Sequence, residues 1–175
     1  ISYDGLLEPL GQSQVLEYQK NLSNKYDIFI ISFEKTTLDI KNEFHNSILK
    51  TLKVSNINWY KLSYHKKPSG LATTFDIFIG LLLAIFLIIR FNIKIIHARS
   101  YVPSVIALVL KKFMNIKFIF DMRGFWADER VDGGIWKNDS FYYKLAKWFE
   151  YKFLSNADHI VSLTNSAIDE IKKFK

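Results

Sequence analysis

The sequence predicts an α/β fold: a parallel sheet with helices on both faces. Strand-like and helix-like stretches alternate along the chain. The strand-like stretches are mostly continuous apolar runs, the pattern of strands buried on both sides. A length of 175 residues, with 49% hydrophobic and 16% aromatic residues, is enough for one domain with a sizeable core.

The elements follow in order. "ISY" (Ile1–Tyr3) reads as the end of a first strand whose beginning lies outside this sequence. In "QSQVLEYQKNLSNK" (12–25), Val15, Tyr18 and Leu22 recur at helical spacing. "DIFIISF" (27–33) is rich in β-formers, and "INWYKLSY" (57–64) alternates apolar and polar as a half-exposed strand does. "KKPSG" (66–70) is a surface loop. "IFIGLLLAIFLII" (77–89) is apolar throughout but bracketed by Asp76 and Arg90. That is short of the roughly 18–20 residues a spanning helix needs, so a buried helix is expected, with a helix on the bilayer surface as the alternative.

"KIIHAR" (94–99), "IKFIFDM" (116–122) and "DHIVSLT" (158–164) are three more strands. "SYVPSVIALVLKKF" (100–113) places Ser100 as N-cap, Pro103 in the first turn and Lys111 and Lys112 at the end. "SFYYKLAKWFEYKFL" (140–154) sets Phe141, Leu145, Trp148, Phe149 and Phe153 on one stripe, expected to face the core.

Composition narrows the chemistry. The absence of Cys excludes thiolate catalysis, disulfides and Cys-ligated zinc. The four His residues, at 45, 65, 97 and 159, are dispersed without a metal-binding spacing, so His97 reads as structural. Lys and Arg total 24 against 17 Asp and Glu, a net charge of +7, which suits an acidic partner. Scattered lysines without an RNA-binding signature argue against nucleic acid.

In open parallel sheets, ligands bind beyond the carboxyl ends of the strands. That rule selects four loops: "DGLLEPLGQSQ", "RSYVP", "RGFWADERVDGGIW" and "TNS". Gly11 is either a turn whose backbone approaches a phosphate or sugar, or a plain glycine helix entry. A dinucleotide fingerprint is not met, because Ser13 stands where a second Gly would fall. "DMRGFWADERVDGGIW" (121–136) gathers Asp121, Arg123, Asp128, Glu129, Arg130 and Asp132 beside Trp126 and Trp136. Guanidinium groups clamp anions, carboxylates accept from hydroxyls and indoles stack on sugar rings, so this loop suits a carbohydrate or phosphorylated ligand. Gly124 is expected to let the chain turn so that Arg123 points into a cleft.

Four blocks carry a resemblance: "YDGLLEPLGQSQVLEY", "IHARSYVPSVIALVLKK", "FIFDMRGFWADERVDGGIW" and "ADHIVSLTNSAIDEIKK". In this order they resemble the N-terminal domain of bacterial family 4 retaining glycosyltransferases. That family has the GT-B architecture, two Rossmann-like domains across a cleft. The resemblance implies that residues 1–175 are the N-terminal, acceptor-side domain, with the nucleotide-sugar domain absent. The family's donor-site signature, two Glu separated by seven residues, is not found here.

By the same resemblance, Gly11 and Gln12 lie in the loop facing the donor. Arg99, Ser100, Tyr101, Gly124, Trp126, Asp128 and Glu129 face the acceptor. Many members carry a His after the strand that here ends at Met122. Arg123 stands at that position and takes the catalytic role. The implied reaction moves a sugar from a nucleotide-sugar donor to a glycan or lipid-linked acceptor in bacterial surface-polysaccharide synthesis. It needs no metal and no other cofactor. The implied location is cytoplasmic, with peripheral contact at an anionic membrane. The alternative is a non-catalytic carbohydrate- or nucleotide-binding module.

Overall fold

A computed structural model describes residues 1–35 and 42–173. The chain begins with α1 (Pro9–Gly11), a π-helical turn (Gln12–Leu16) and α2 (Glu17–Leu22). Next come β1 (Ile28–Glu34), α3 (Asn42–Val54), β2 (Ile57–Ser63) and α4 (Ser69–Phe91). β3 (Ile95–Arg99), α5 (Tyr101–Phe113), β4 (Lys117–Met122), α6 (Trp126–Asp132), α7 (Phe141–Asn156), β5 (His159–Ser162) and α8 (Ser166–Lys172) complete it. Every strand pairing is parallel, in a two-stranded sheet β1-β2 and a three-stranded sheet β3-β4-β5. The fold is therefore α/β and Rossmann-like, with parallel strands in two sheets flanked by helices.

The chain divides into two compact units, Ile1–Ala84 and Ile85–Lys175, and the division falls inside α4. In the first unit, Ser2 forms a parallel bridge with Ser32, and its amide donates to the Ile31 carbonyl at 2.9 Å. "ISY" thus meets β1 through this one isolated bridge. Leu6, Val15 and Leu16 pack with Ile30 and Ile57 of the sheet and with Ile48 and Leu52 of α3. The buried Asp76 on α4 accepts from the Tyr3 hydroxyl at 2.7 Å and the His65 amide at 3.1 Å. Burial, and then the bond to Asp76, push the Tyr3 phenol far above its ordinary value.

The buried reading of residues 77–89 holds for one face of α4 only. Ala72, Asp76, Ala84, Leu87 and Ile88 are buried, while Leu71, Phe75, Phe78, Leu82, Phe86 and Ile89 are exposed. The helix is also longer than the apolar run, because Gly70 to Phe75 continue it toward the N-terminus. Asn92, at φ 52°, follows its last residue in the left-handed conformation that Asn tolerates at helix ends.

In the second unit, β4 is central and its Phe118 and Phe120 are fully buried. Phe120 meets Phe153 of α7 with ring centroids 5.3 Å apart and Phe118 at 6.3 Å, and Tyr101 of α5 reaches the same Phe153 at 5.7 Å. Ile106 and Leu110 of α5 and Leu154 of α7 are also among the fully buried side chains.

Helices α5 and α7 each depart from the sequence expectation. Ser100 does not cap α5 with its hydroxyl. It sits at φ 68°, ψ −172°, a region that strains any residue with a Cβ. Its amide donates to the Asp121 carbonyl at 3.0 Å, and its carbonyl accepts from the Ser104 hydroxyl at 2.6 Å. On α7, Ser140 does cap, accepting from the Tyr143 amide at 3.3 Å. The aromatic stripe, however, reaches the inner face only at Phe153: Phe141, Leu145 and Trp148 are exposed, and Ala146, Glu150, Phe153 and Leu154 are buried. Glu150 is the reason. A stripe counted by hydrophobicity passes over a carboxylate, yet this one is buried because Tyr101 and Lys147 both donate to it.

Asp158 ties this unit together. Its carboxylate accepts from Lys111 at 2.7 Å, from the Phe118 amide at 2.8 Å and from Lys117 at 3.3 Å. The Lys111 bond, followed by that amide, holds the acid well below its ordinary value of 3.8. A carboxylate depressed on folding contributes stability that is full above the unfolded value and is lost as pH falls toward the folded one. We expect acid unfolding below about pH 4 to be shallower in Asp158→Asn than in the wild type, from a lower neutral-pH stability. Parallel acid-unfolding curves for the two proteins would contradict this.

Candidate functional site

The carboxyl ends of β4 and β5 open onto a cleft of about 490 Å³ within the second unit. Its walls come from the two loops that follow these strands. Met122, Arg123, Gly124 and Phe125 continue β4, and Asp128, Glu129 and Asp132 come from α6. Ser162, Leu163, Thr164, Ser166 and Ala167 come from the end of β5 and the start of α8. The lining therefore combines one guanidinium with three carboxylates and several hydroxyls. Carboxylates accept hydrogen bonds, hydroxyls both accept and donate them, and a guanidinium pairs with anions, so this lining suits a polyhydroxylated or anionic ligand.

The stretch expected as a long loop contains α6, two turns of helix. Gly134, at φ 67°, makes the left-handed turn that follows it. Gly124 has no left-handed backbone. Its missing side chain instead makes room for Glu129, because a Cβ there would lie 2.2 Å from Glu129 Oε1. Asp128 is held firmly. Tyr143 donates to Oδ1 and Lys147 to Oδ2, both at 2.8 Å. The bond to Asp128 raises the Tyr143 phenol above its ordinary value. Burial pulls the Lys147 ammonium down, but bonds to Asp128 and Glu150 outweigh it and leave the group raised. The Tyr101 phenol is raised far more, by burial and then by the Glu150 charge. A chain of contacts, Tyr143–Asp128–Lys147–Glu150–Tyr101, thus braces the wall of the cleft from behind.

The other acceptor-side expectations fall outside this lining. Arg99 and Asp121 are register neighbours on β3 and β4 and form a buried ion pair at 2.8 Å. His97 Nε2 lies 3.4 Å from the same Asp121 oxygen. Burial alone would raise Asp121, but the His97 bond and the Arg99 charge hold it below its ordinary value. Tyr101 is buried, and Trp126 sits between Tyr101 at 5.3 Å and Trp136 at 5.0 Å, with the Arg130 guanidinium 5.2 Å over its ring. Arg99, Ser100, Tyr101 and Trp126 therefore form the layer adjoining the carboxyl ends of β3 and β4.

Gly11 and Gln12 lie in the first unit. Gly11 has ordinary helical dihedrals, φ −62° and ψ −36°, so its need for glycine is not conformational. A Cβ would lie 1.9 Å from the Gly5 carbonyl oxygen and 2.9 Å from Leu6 Cα. The helix start is packed directly on the preceding loop. Gln12 opens the π-helical turn, and the Glu8 carbonyl accepts from its backbone amide at 3.1 Å and from its side-chain Nε2 at 3.4 Å.

That loop is held by a residue that sequence reasoning passed over. Glu34, at the end of β1, accepts from the amides of Leu6 at 2.8 Å and Leu7 at 3.2 Å and from the Ser32 hydroxyl at 2.5 Å. Trp59 donates to Ser32 at 2.7 Å. Consecutive amides converging on a carboxylate form an anion-binding backbone nest, with Glu34 as the anion. The only signal in the sequence was an acid at a strand terminus.

Among the described residues, no three His, Asp or Glu side chains cluster as a metal site would require. No curated protein matches the chain. The model of the family described as Glycosyltransferase Family 4 matches residues 20–175. That match covers β1 to α8 and includes both walls of the cleft, and by it the chain belongs to glycosyltransferase family 4.

Proposed function

We propose that this chain is the acceptor-side domain of a retaining glycosyltransferase whose nucleotide-sugar pocket lies in a further, C-terminal domain. The acceptor is a glycan or a lipid-linked saccharide of bacterial surface-polysaccharide synthesis. The reaction needs no metal and no other cofactor, and nucleic acid is not a partner. It takes place in the cytoplasm, at the inner face of an anionic membrane. The observation that carries this reading is the cleft after β4 and β5, where Arg123 stands among Asp128, Glu129 and Asp132.

The chemistry assigns the parts. As the bond from the sugar's anomeric carbon to the diphosphate breaks, the carbon gains oxocarbenium character and the diphosphate gains negative charge. The acceptor oxygen bonds to that carbon on the face the diphosphate leaves, and its proton passes to the departing phosphate oxygen. A cation fixed near the leaving group stabilises this transition state more than the ground state. Arg123 takes that role. Glu129 and Asp132 orient acceptor hydroxyls, and Asp128, already bonded to Tyr143 and Lys147, holds the wall that presents them.

The test is a panel of UDP- and GDP-sugars given to the full-length protein and to the 175-residue chain. Transfer is expected from the former and none from the latter. Transfer by the 175-residue chain alone would overturn the assignment of the donor pocket to another domain.

A further inference from the structure

Over most of its length the amphipathy of α4 is inside out. From residue 72 to 84 its inner face carries small and polar residues, the buried Ala72, Asp76, Gly80 and Ala84, and bulky apolar side chains turn inward only at Leu87 and Ile88, near its end. Its outer face carries the bulky apolar ones. Leu71, Phe75, Phe78, Leu82, Phe86 and Ile89 recur every three or four residues and are each between 49% and 74% exposed. A helix that only completes a core shows the reverse arrangement, with its largest apolar side chains turned inward. A continuous exposed stripe of this kind marks a surface that another apolar phase covers.

Charge decides among the occupants. No acidic residue interrupts the stripe, and exposed cations stand at both ends of the helix: Lys66 and Lys67 before it, Arg90 and Lys94 after it. A second copy packed on this face would bring cation against cation whether the helices ran parallel or antiparallel. An anionic bilayer satisfies the whole pattern at once. The apolar stripe enters the acyl boundary and the four cations meet the headgroups, as in helices that lie in the interface.

Length and composition alone also permit Gly70–Phe91 to cross a bilayer. The inner face argues against it. Asp76 is buried at 1% exposure and accepts from Tyr3 and from the His65 amide. Crossing would strip it of these partners and carry a carboxylate into hydrocarbon.

We propose that the outer face of α4 docks the protein on an anionic lipid surface, with the helix lying in the interface. This rests on the membrane location proposed above and gives it a surface. It does not depend on the donor or on the transfer chemistry, so a failure of sugar transfer leaves it standing.

The experiment is flotation of the full-length protein with phosphatidylcholine vesicles and with vesicles of phosphatidylcholine mixed with phosphatidylglycerol. Binding is expected to the mixed vesicles and to fall as salt rises. Phe78→Glu with Leu82→Glu should cut it at least tenfold while the circular dichroism spectrum stays that of the wild type. Lys66→Glu with Arg90→Glu should remove the preference for anionic lipid. Leu82→Trp should be quenched by lipid brominated near the headgroup end of the acyl chain more than by lipid brominated near its terminus. Each of four results would overturn the proposal. These are equal recovery with both vesicle types, binding unaffected by the paired Glu substitutions, strongest quenching by terminal bromine (a spanning helix), and lipid-independent dimerisation abolished by Phe78→Glu (a second copy).

Discussion

Arg123→Ala in the full-length enzyme is expected to lower kcat at least about a hundredfold while the melting temperature changes little. Arg123 follows Met122 at the carboxyl end of the central strand β4 and lines the cleft there. The buried residues of β4 are Phe118, Phe120, Asp121 and Met122, and the ion pair that crosses the strands is Arg99–Asp121. Removing a cation from the departing diphosphate costs roughly 2 to 4 kcal/mol in the transition state, on the scale seen for oxyanion donors. Arg123→Lys retains the charge but not the paired geometry and should recover only part of the rate. A near-normal kcat with a large loss of thermal stability would assign Arg123 to bracing instead.

Gly11→Ala should be the most damaging of the glycine substitutions. The added methyl meets backbone at 1.9 Å from the Gly5 oxygen, and backbone in a loop held by Glu34 has little room to retreat. Overpacking of this kind costs about 3 kcal/mol. For a chain of this size that lowers the melting temperature by roughly 10 °C. Gly124→Ala is the comparison. There the obstacle is the far end of the Glu129 side chain, which can swing away, so the loss should be small. Gly70→Ala, whose Cβ meets nothing within 4 Å, should be neutral or slightly stabilising. Equal melting temperatures for all three variants would contradict the close approach at Gly11.

How much of this was legible in the sequence depends on which force sets each feature. The strands were readable almost to the residue, because buried parallel strands need continuous runs of β-formers such as those around Phe29–Phe33 and Phe118–Phe120. The cleft was readable as a place, since parallel strands put their loops at one edge, and Arg123, Gly124, Asp128 and Glu129 do line it. What escaped depended on long-range partners. Glu150 is buried because Tyr101, 49 residues away, donates to it, and no local pattern shows that. Glu34 meets amides 27 and 28 residues away. The outward stripe of α4 was hidden for another reason: an apolar run looks the same whichever face turns inward, and only packing around Asp76 shows which one does. The ring neighbours of Trp126, which are Tyr101, Trp136 and Arg130, were not readable from the sequence either.

The function proposed for this protein is retaining transfer from a nucleotide sugar to an acceptor held beside Arg123. A proton NMR time course of the full-length enzyme with donor and acceptor tests it most directly, because the coupling of the new anomeric proton reports configuration. The predicted result is a glycosidic product with the donor's anomeric configuration, formed equally well with EDTA present and lost in Arg123→Ala. A product of inverted configuration, or no transfer from any nucleotide sugar, would contradict it.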